Sequence, residues 1–175
     1  GQTSGDLIGE VSYYRIKDGE TLLEIARLHD LGYVELLAAN PGIDPWRLPP
    51  GRTLLLPTAH LLPVAPRDGI VINLSELRLY YFQGRTGRAV TYPIGIGREG
   101  WETPTGTTSI SRKRVAPTWT PPESIRQARP ELPAVVPPGP DNPLGDFALD
   151  LGWPRYVIHG TNKPVSYTHL TLPTK

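Results

Sequence analysis

The 21 prolines and 18 glycines spread through these 175 residues set the tightest limit on what the chain can fold into. Proline removes a backbone donor and fixes φ, and glycine weakens any element it interrupts, so short strands joined by turns are favoured over a helical bundle. The strand signals obey that limit. "IVINL" (70–74), "LRLYYF" (77–82) and "RAVTYPI" (88–94) are β-branched and aromatic, separated by the turn-prone stretches 73–76 and 84–87. In the second run Leu77, Leu79 and Tyr81 alternate with Arg78, Tyr80 and Phe82, the pattern of a half-buried strand. "TGTTSISRKRV" (105–115) adds a fourth run. Four strands with no helix between them predict an antiparallel β sandwich or curled sheet.

Residues 13–57 read differently. Tyr13 to Ile16 is a short strand, Asp18-Gly19 turns the chain, and Thr21 with Glu24 forms a capping box for a helix through about His29. Leu22, Leu23, Ile25, Ala26 and Leu28 give that helix an apolar stripe. A second helix runs from Val34 to Ala39 and stops at Asn40-Pro41-Gly42, and Thr53 to Pro57 returns as a strand beside the first. The whole is a small βααβ unit. Residues 1–12 are then an N-terminal tail in which no signal peptide is legible, and the proline-containing residues 58–69 are a connector.

Charge and composition remove several function classes. With 18 basic against 17 acidic residues and a net charge of +1, there is no basic face of the kind nucleic acid demands. No apolar run is long enough to span a bilayer. There is no cysteine, hence no disulfide, no thiolate metal site and no thiol nucleophile. The four histidines at 29, 60, 159 and 169 lack metal-ligand spacing, so no metal site is expected. His29 and His60 are read as solvent-facing. "GIGREG" (95–100) matches G-x-G-x-x-G, but Trp101 to Gly106 cannot start the helix that a pyrophosphate site requires, and its glycines are assigned to a loop. The proline-dense stretch 115–145 reads either as a linker or, given Trp119, Ile125, Leu132, Val135 and Val136, as an ordered excursion over the sheet; the second is favoured.

His159 stands apart. It follows the strand-like "RYVI" and precedes Gly160, where a side chain leaves a sheet and meets solvent. By itself it is as readily structural as chemical. Two sets of segments give it context. "YRIKDGETLLEIA", "LLAANPGI" and "GRTLLLP" resemble a LysM module, which binds N-acetylglucosamine-containing glycans. "VINLSELRLYYF", "TYPIGIGREGWETPTGT", "TWTPPESIR", "AVVPPGPDNPLG" and "YVIHGTNKP" together resemble the catalytic domain of YkuD-type L,D-transpeptidases of the ErfK/YbiS-like group. The resemblance implies an α+β chain: a LysM module over 13–57, then a mainly-β sandwich over 70–166 that is incomplete.

It also implies chemistry. Such enzymes cut the peptidoglycan tetrapeptide stem with a cysteine thiolate and pass the acyl group to an amine, without a cofactor. The general base maps to His159, and substrate-binding positions map to Trp101, Thr103, Pro104, Gly106, Gly160, Thr161 and Asn162. Glycan binding maps to Gly19, Glu20 and Thr21 on one side of a groove and to Asn40, Pro41, Gly42 and Ile43 on the other. Peptidoglycan is the implied partner, an outer-membrane lipoprotein a further acceptor, and the Gram-negative periplasm the implied location. Non-catalytic peptidoglycan binding is the rival reading.

The family's nucleophile belongs to a Ser-His-Gly-Cys-x-Arg motif roughly sixteen residues after the histidine, and that motif is absent here. His169, in "YTHLTL", has neither glycine nor cysteine beside it. "VSYTHLTLPTK" (165–175) resembles read-through of a sequencing adapter, and residues 167–175 are expected to be a poorly packed foreign tail, so a truncated gene model is preferred over a pseudoenzyme. Long-read sequencing of the source locus checks this: Ser-x-Gly-Cys-x-Arg is expected shortly after Ser166, whereas "YTHLTLPTK" and a stop codon would make the pseudoenzyme the better account.

Overall fold

The computed structural model describes residues 6–84, 88–96 and 103–161, so the expected tail at 167–175 lies outside the described residues. The chain forms two compact units, Gly1–Gly95 and Ile96–Lys175.

The first unit begins with β1 (Leu7–Ile8) and β2 (Ser12–Arg15), followed by α1 (Leu22–Leu28) and α2 (Tyr33–Ala39). β3 (Thr53–Leu56) pairs antiparallel with β2, in the register Tyr13 to Leu55. The capping box of α1 forms as its sequence requires: the Glu24 amide donates to Thr21 Oγ1 at 3.2 Å, and the Thr21 amide donates to Glu24 Oε2 at 2.9 Å. Leu22, Ile25 and Ala26 are buried, while Leu28, expected in the same stripe, is exposed. Those three join Ile16, Leu31, Leu36, Ile43, Leu54 and Leu56 in a core drawn entirely from residues 16–56. Asn40 closes it. Its side-chain amide donates to the Leu36 and Leu55 carbonyls at 2.8 Å each and accepts from the Leu55 amide at 2.8 Å, stitching the end of α2 to β3.

Residues read as tail and connector pair here as β1 and β4 (His60–Leu61), and Leu62 is buried. β5 (Gly69–Asn73), β6 (Arg78–Phe82) and β7 (Ala89–Pro93) then form an antiparallel sheet in sequential order. The three expected strands are present. On β6 the deeply buried alternate set is Arg78, Tyr80 and Phe82, and Tyr81 is exposed. Tyr80 donates to the Leu61 carbonyl and to Glu76, and burial followed by that second bond pushes its hydroxyl up to about 12, so it stays a donor.

Arg78 is the buried charge of this unit, only 3 % exposed. It donates to Glu35 Oε2 at 3.0 Å, to the Asp30 carbonyl at 2.8 Å and to Thr91 Oγ1 at 3.1 Å. Glu35 also accepts from the Gly32 amide at the start of α2. The guanidinium therefore ties β6 and β7 to α2 and the turn before it. His60, expected from the sequence to face solvent, instead has a largely buried side chain, with Nδ1 3.6 Å from Glu35 Oε1. Burial, more than neighbouring charge, pushes its imidazole below the ordinary range.

The second unit holds β8 (Ile110–Val115), α3 (Glu123–Ala128), β9 (Phe147–Leu151) and β10 (Val157–His159). Its sheet has the order β10-β9-β8, all antiparallel, with a register shift between Ile110 and Arg112. The proline-dense stretch is ordered: it contains α3, and Trp119 and Val136 exchange both backbone bonds, at 2.9 and 2.8 Å. Asn142 is fully buried. Its amide donates to the carbonyls of Pro117 (2.7 Å), Val136 (3.3 Å) and Pro137 (3.1 Å) and accepts from the Leu144 amide (2.9 Å).

Two outcomes follow for the first unit. Arg78→Ala strands the Glu35 carboxylate and the Asp30 carbonyl, and urea unfolding should show a loss of about 2–4 kcal/mol. Since folded His60 binds a proton less readily than unfolded His60, stability rises with pH across its titration and falls as pH drops below about 6.5. His60→Gln should shrink the difference between urea midpoints measured at about pH 7.5 and about pH 5.5.

Candidate functional site

The β9–β10 hairpin positions the histidine. His159 ends β10 and lies opposite Ala148, which in turn lies opposite Arg114 on β8. Directly opposed residues in antiparallel strands share a face. One face of this sheet therefore carries Arg112, Arg114, Ala148, Asp150, Val157 and His159. Ala148 is fully buried. Asp150 accepts from Arg112 Nε at 2.8 Å and from Arg114 Nη2 at 2.7 Å, and these bonds outweigh its burial and hold its carboxyl below the usual range.

His159 Nδ1 lies 2.6 Å from the Gly160 carbonyl. A carbonyl only accepts, so Nδ1 carries the hydrogen and Nε2 keeps the lone pair. Burial lowers the imidazole below its ordinary range, the Gly160 bond partly opposes this, and the positive charge of Arg114 lowers it further. At neutral pH the ring is an uncharged base with Nε2 as its basic atom. The arrangement can take a proton from an acidic group placed before it.

Backbone contact fixes where that ring sits. The Gly160 amide donates to the Phe147 carbonyl at 3.1 Å. Gly145, at φ +66°, packs so closely that a β-carbon there would lie 2.9 Å from the Thr161 nitrogen and 3.0 Å from the Gly160 carbonyl carbon. Gly145 is set by the turn that Asn142 organises, through a bond from its amide to the Asn142 carbonyl. The proline-dense excursion thus ends as a support under the histidine.

Of the residues assigned to substrate by sequence, Gly160 and Thr161 adjoin His159. Gly106, at φ +136°, packs against the Trp153 ring, and the Gly152 amide donates to the Ser109 carbonyl at 2.8 Å, which ties this segment to the turn end of the hairpin. His159 closes the opposite end. Thr103 and Pro104 are half-buried, and Trp101 and Asn162 lie outside the described residues. Arg114, Asn142, Gly145 and Ala148 escaped the sequence reading. "PDNPLG" hinted at a turn, but nothing local shows that its asparagine is buried.

In the helical module a cleft of about 420 Å³ is lined by Asp18, Gly19, Glu20, Glu24, Ile25 and Leu28. Gly19 and Glu20 belong to it as expected residues. Glu20 accepts from the Tyr14 hydroxyl (2.6 Å) and the Lys17 amide (2.8 Å), and these bonds lower its carboxyl. Thr21 caps α1, Asn40 is bonded internally and Ile43 is in the core. Gly19, Pro41 and Gly42 remain exposed, and both glycines have positive φ with open space where a β-carbon would be. Among the described residues no helix is long and apolar enough to cross a membrane, and no group of three candidate ligands could hold a metal.

Comparison with known proteins agrees in both parts of the chain. The model of the L,D-transpeptidase catalytic domain, YkuD, matches residues 67–173, and the LysM domain model matches residues 14–57. The chain is 47 % identical over 165 residues to the probable L,D-transpeptidase YcfS of Escherichia coli, covering 89 % of this chain and 52 % of that protein. It is 44 % identical over 164 residues to the probable L,D-transpeptidase YbiS of Escherichia coli, covering 89 % and 53 %. The probable L,D-transpeptidase ErfK/SrfK of Salmonella typhimurium is 39 % identical over 163 residues, with 89 % and 52 % covered. The chain spans about half the length of these curated relatives.

Gly145→Ala should displace the backbone that carries His159. It meets both a clash and an unfavourable φ, for a cost of about 2 kcal/mol or more. Gly84→Ala, at φ +54° with nothing within 4 Å, meets only the second and serves as the comparison. Thermal unfolding reads the costs, and the His159 ring signals in NMR should move only in Gly145→Ala.

Proposed function

This chain belongs to the L,D-transpeptidase family, and on that footing we propose that it acts on peptidoglycan in the periplasm of a Gram-negative bacterium, with His159 as general base. The observation that carries the reading is the imidazole at the end of β10, with Nδ1 held on the Gly160 carbonyl so that Nε2 is the basic atom, within the segment that matches the YkuD domain. In that reaction Nε2 takes the proton of a cysteine thiol. The thiolate attacks the amide carbonyl of the stem peptide, and the proton passes to the departing D-alanine amine. A thioester remains, and an acceptor amine resolves it, giving up its proton to the same ring. The acceptor is a second diaminopimelate residue or a lipoprotein.

The sequence as it stands holds no thiol. A serine or threonine hydroxyl beside one histidine is a far weaker nucleophile at neutral pH. We therefore assign this chain the family's base and support without acyl transfer, which keeps peptidoglycan binding without catalysis as the second reading. The LysM module serves both. Its exposed Gly19, Pro41 and Gly42 offer open backbone on which an acetamido group can be held, with Glu20, Thr21, Asn40 and Ile43 shaping the turns from behind.

Pull-down on insoluble sacculi should retain the chain, and soluble N-acetylglucosamine oligomers should release it. No enrichment over a protein of similar charge would sink the binding proposal. Incubation with a carbapenem followed by intact mass spectrometry should show no adduct; a stoichiometric mass increase would mean that another nucleophile has been overlooked.

A further inference from the structure

The face that carries His159 has more positive charge than its own carboxylate can neutralise. Among the described residues Arg112 and Arg114 share one ion-pair partner, Asp150, so one guanidinium's worth of charge is left over there. The two arginines are not equivalent. The Arg112 side chain is 68 % exposed and screened by water, whereas that of Arg114 is 25 % exposed. Arg114 Nε is buried and has no hydrogen-bond partner among the described residues. A desolvated guanidinium donor without an acceptor is costly, and a carboxylate is the group that suits it best.

Arg114 lies two strands from His159, roughly 10 Å by the ordinary strand spacing, within the reach of an arginine side chain and a short ligand between them. Ala148, the residue that separates them, carries a single methyl group and is fully buried between the two strands, so no bulky side chain at that position parts the guanidinium from the imidazole. From this juxtaposition we propose that Arg114 is a specificity-determining residue of the His159 site, which receives a free carboxylate of the stem peptide while the scissile amide faces the imidazole. The inference rests on the peptidoglycan reading above and adds the group that is recognised. Asp150 holds the guanidinium in place before the ligand arrives. Lys113, between the two arginines in sequence, points to the other face and takes no part.

A cycle of ligand and protein changes tests it on the full chain. The probes are a synthetic diaminopimelate-containing tetrapeptide stem with free carboxylates and the same peptide with every carboxylate amidated, titrated by calorimetry and by the His159 ring signals. The wild-type protein should bind the acid at least about tenfold more tightly than the amide. Arg114→Gln should remove most of that preference while leaving the amide within about twofold, the mark of direct coupling between the two groups. Arg112→Gln, which leaves Asp150 bonded to Arg114, should keep the preference. A wild-type protein that does not distinguish the two peptides overturns the assignment without any substitution. So does an Arg114→Gln protein that weakens both equally. If neither peptide binds or moves the His159 signals, the stem-peptide reading itself fails, and this inference with it.

Discussion

A chain this rich in proline cannot satisfy its own backbone, and in each unit one asparagine side chain makes up the deficit. Short elements and prolines leave carbonyls without amide partners, and a buried unpaired carbonyl is costly. Asn40 supplies two donors and one acceptor where α2 ends beside β3. Asn142 donates toward three carbonyls, two of them on prolines, and receives the Leu144 amide. Each amide group imitates a stretch of backbone. Asn142 ties the excursion over 117–137 to the turn at 142–145, and that turn sets Gly145 under Gly160. The position of the histidine thus depends on a side chain that takes no part in its chemistry.

The first unit adds a charged counterpart to the same logic. Arg78 lies in the buried set of β6, where an apolar residue would be expected, and is tolerated because carboxylate, carbonyl and hydroxyl acceptors surround it. Its geometry is what holds the helical module at a defined place on the β5–β7 sheet. A purely apolar contact there would permit sliding; a planar fork of donors with fixed acceptors does not. The LysM module and the β5–β7 sheet thereby share one compact unit.

Electrostatics in the second unit work towards a different end. Burial and Arg114 both disfavour the charged imidazole, and the Gly160 carbonyl selects the tautomer. A base kept neutral in this way is ready to accept a proton but does not hold a permanent ion pair with a substrate. Recognition of an anionic ligand would then rest on the arginine rather than on the histidine.

By itself the sequence determined what is local or a matter of composition. The capping box at Thr21 and Glu24, the strands of residues 70–94, the end of a strand at His159 and the lack of any thiol are all legible, since each depends on neighbours within a few residues or on a count. Motif order along the chain was enough to indicate the family. Only the tertiary structure decided which alternate residues of β6 go inward, that His60 is enclosed beside Glu35, and that Glu20, Asn40 and Ile43 brace the turns they occupy. It alone set Arg114 on the face of His159. That pairing comes from the register of β8 on β9 and of β9 on β10, across more than thirty intervening residues. A slip of one residue would turn either side chain to the opposite face, and no local pattern in "SRKRV" or "RYVIHG" records which register the sheet adopts.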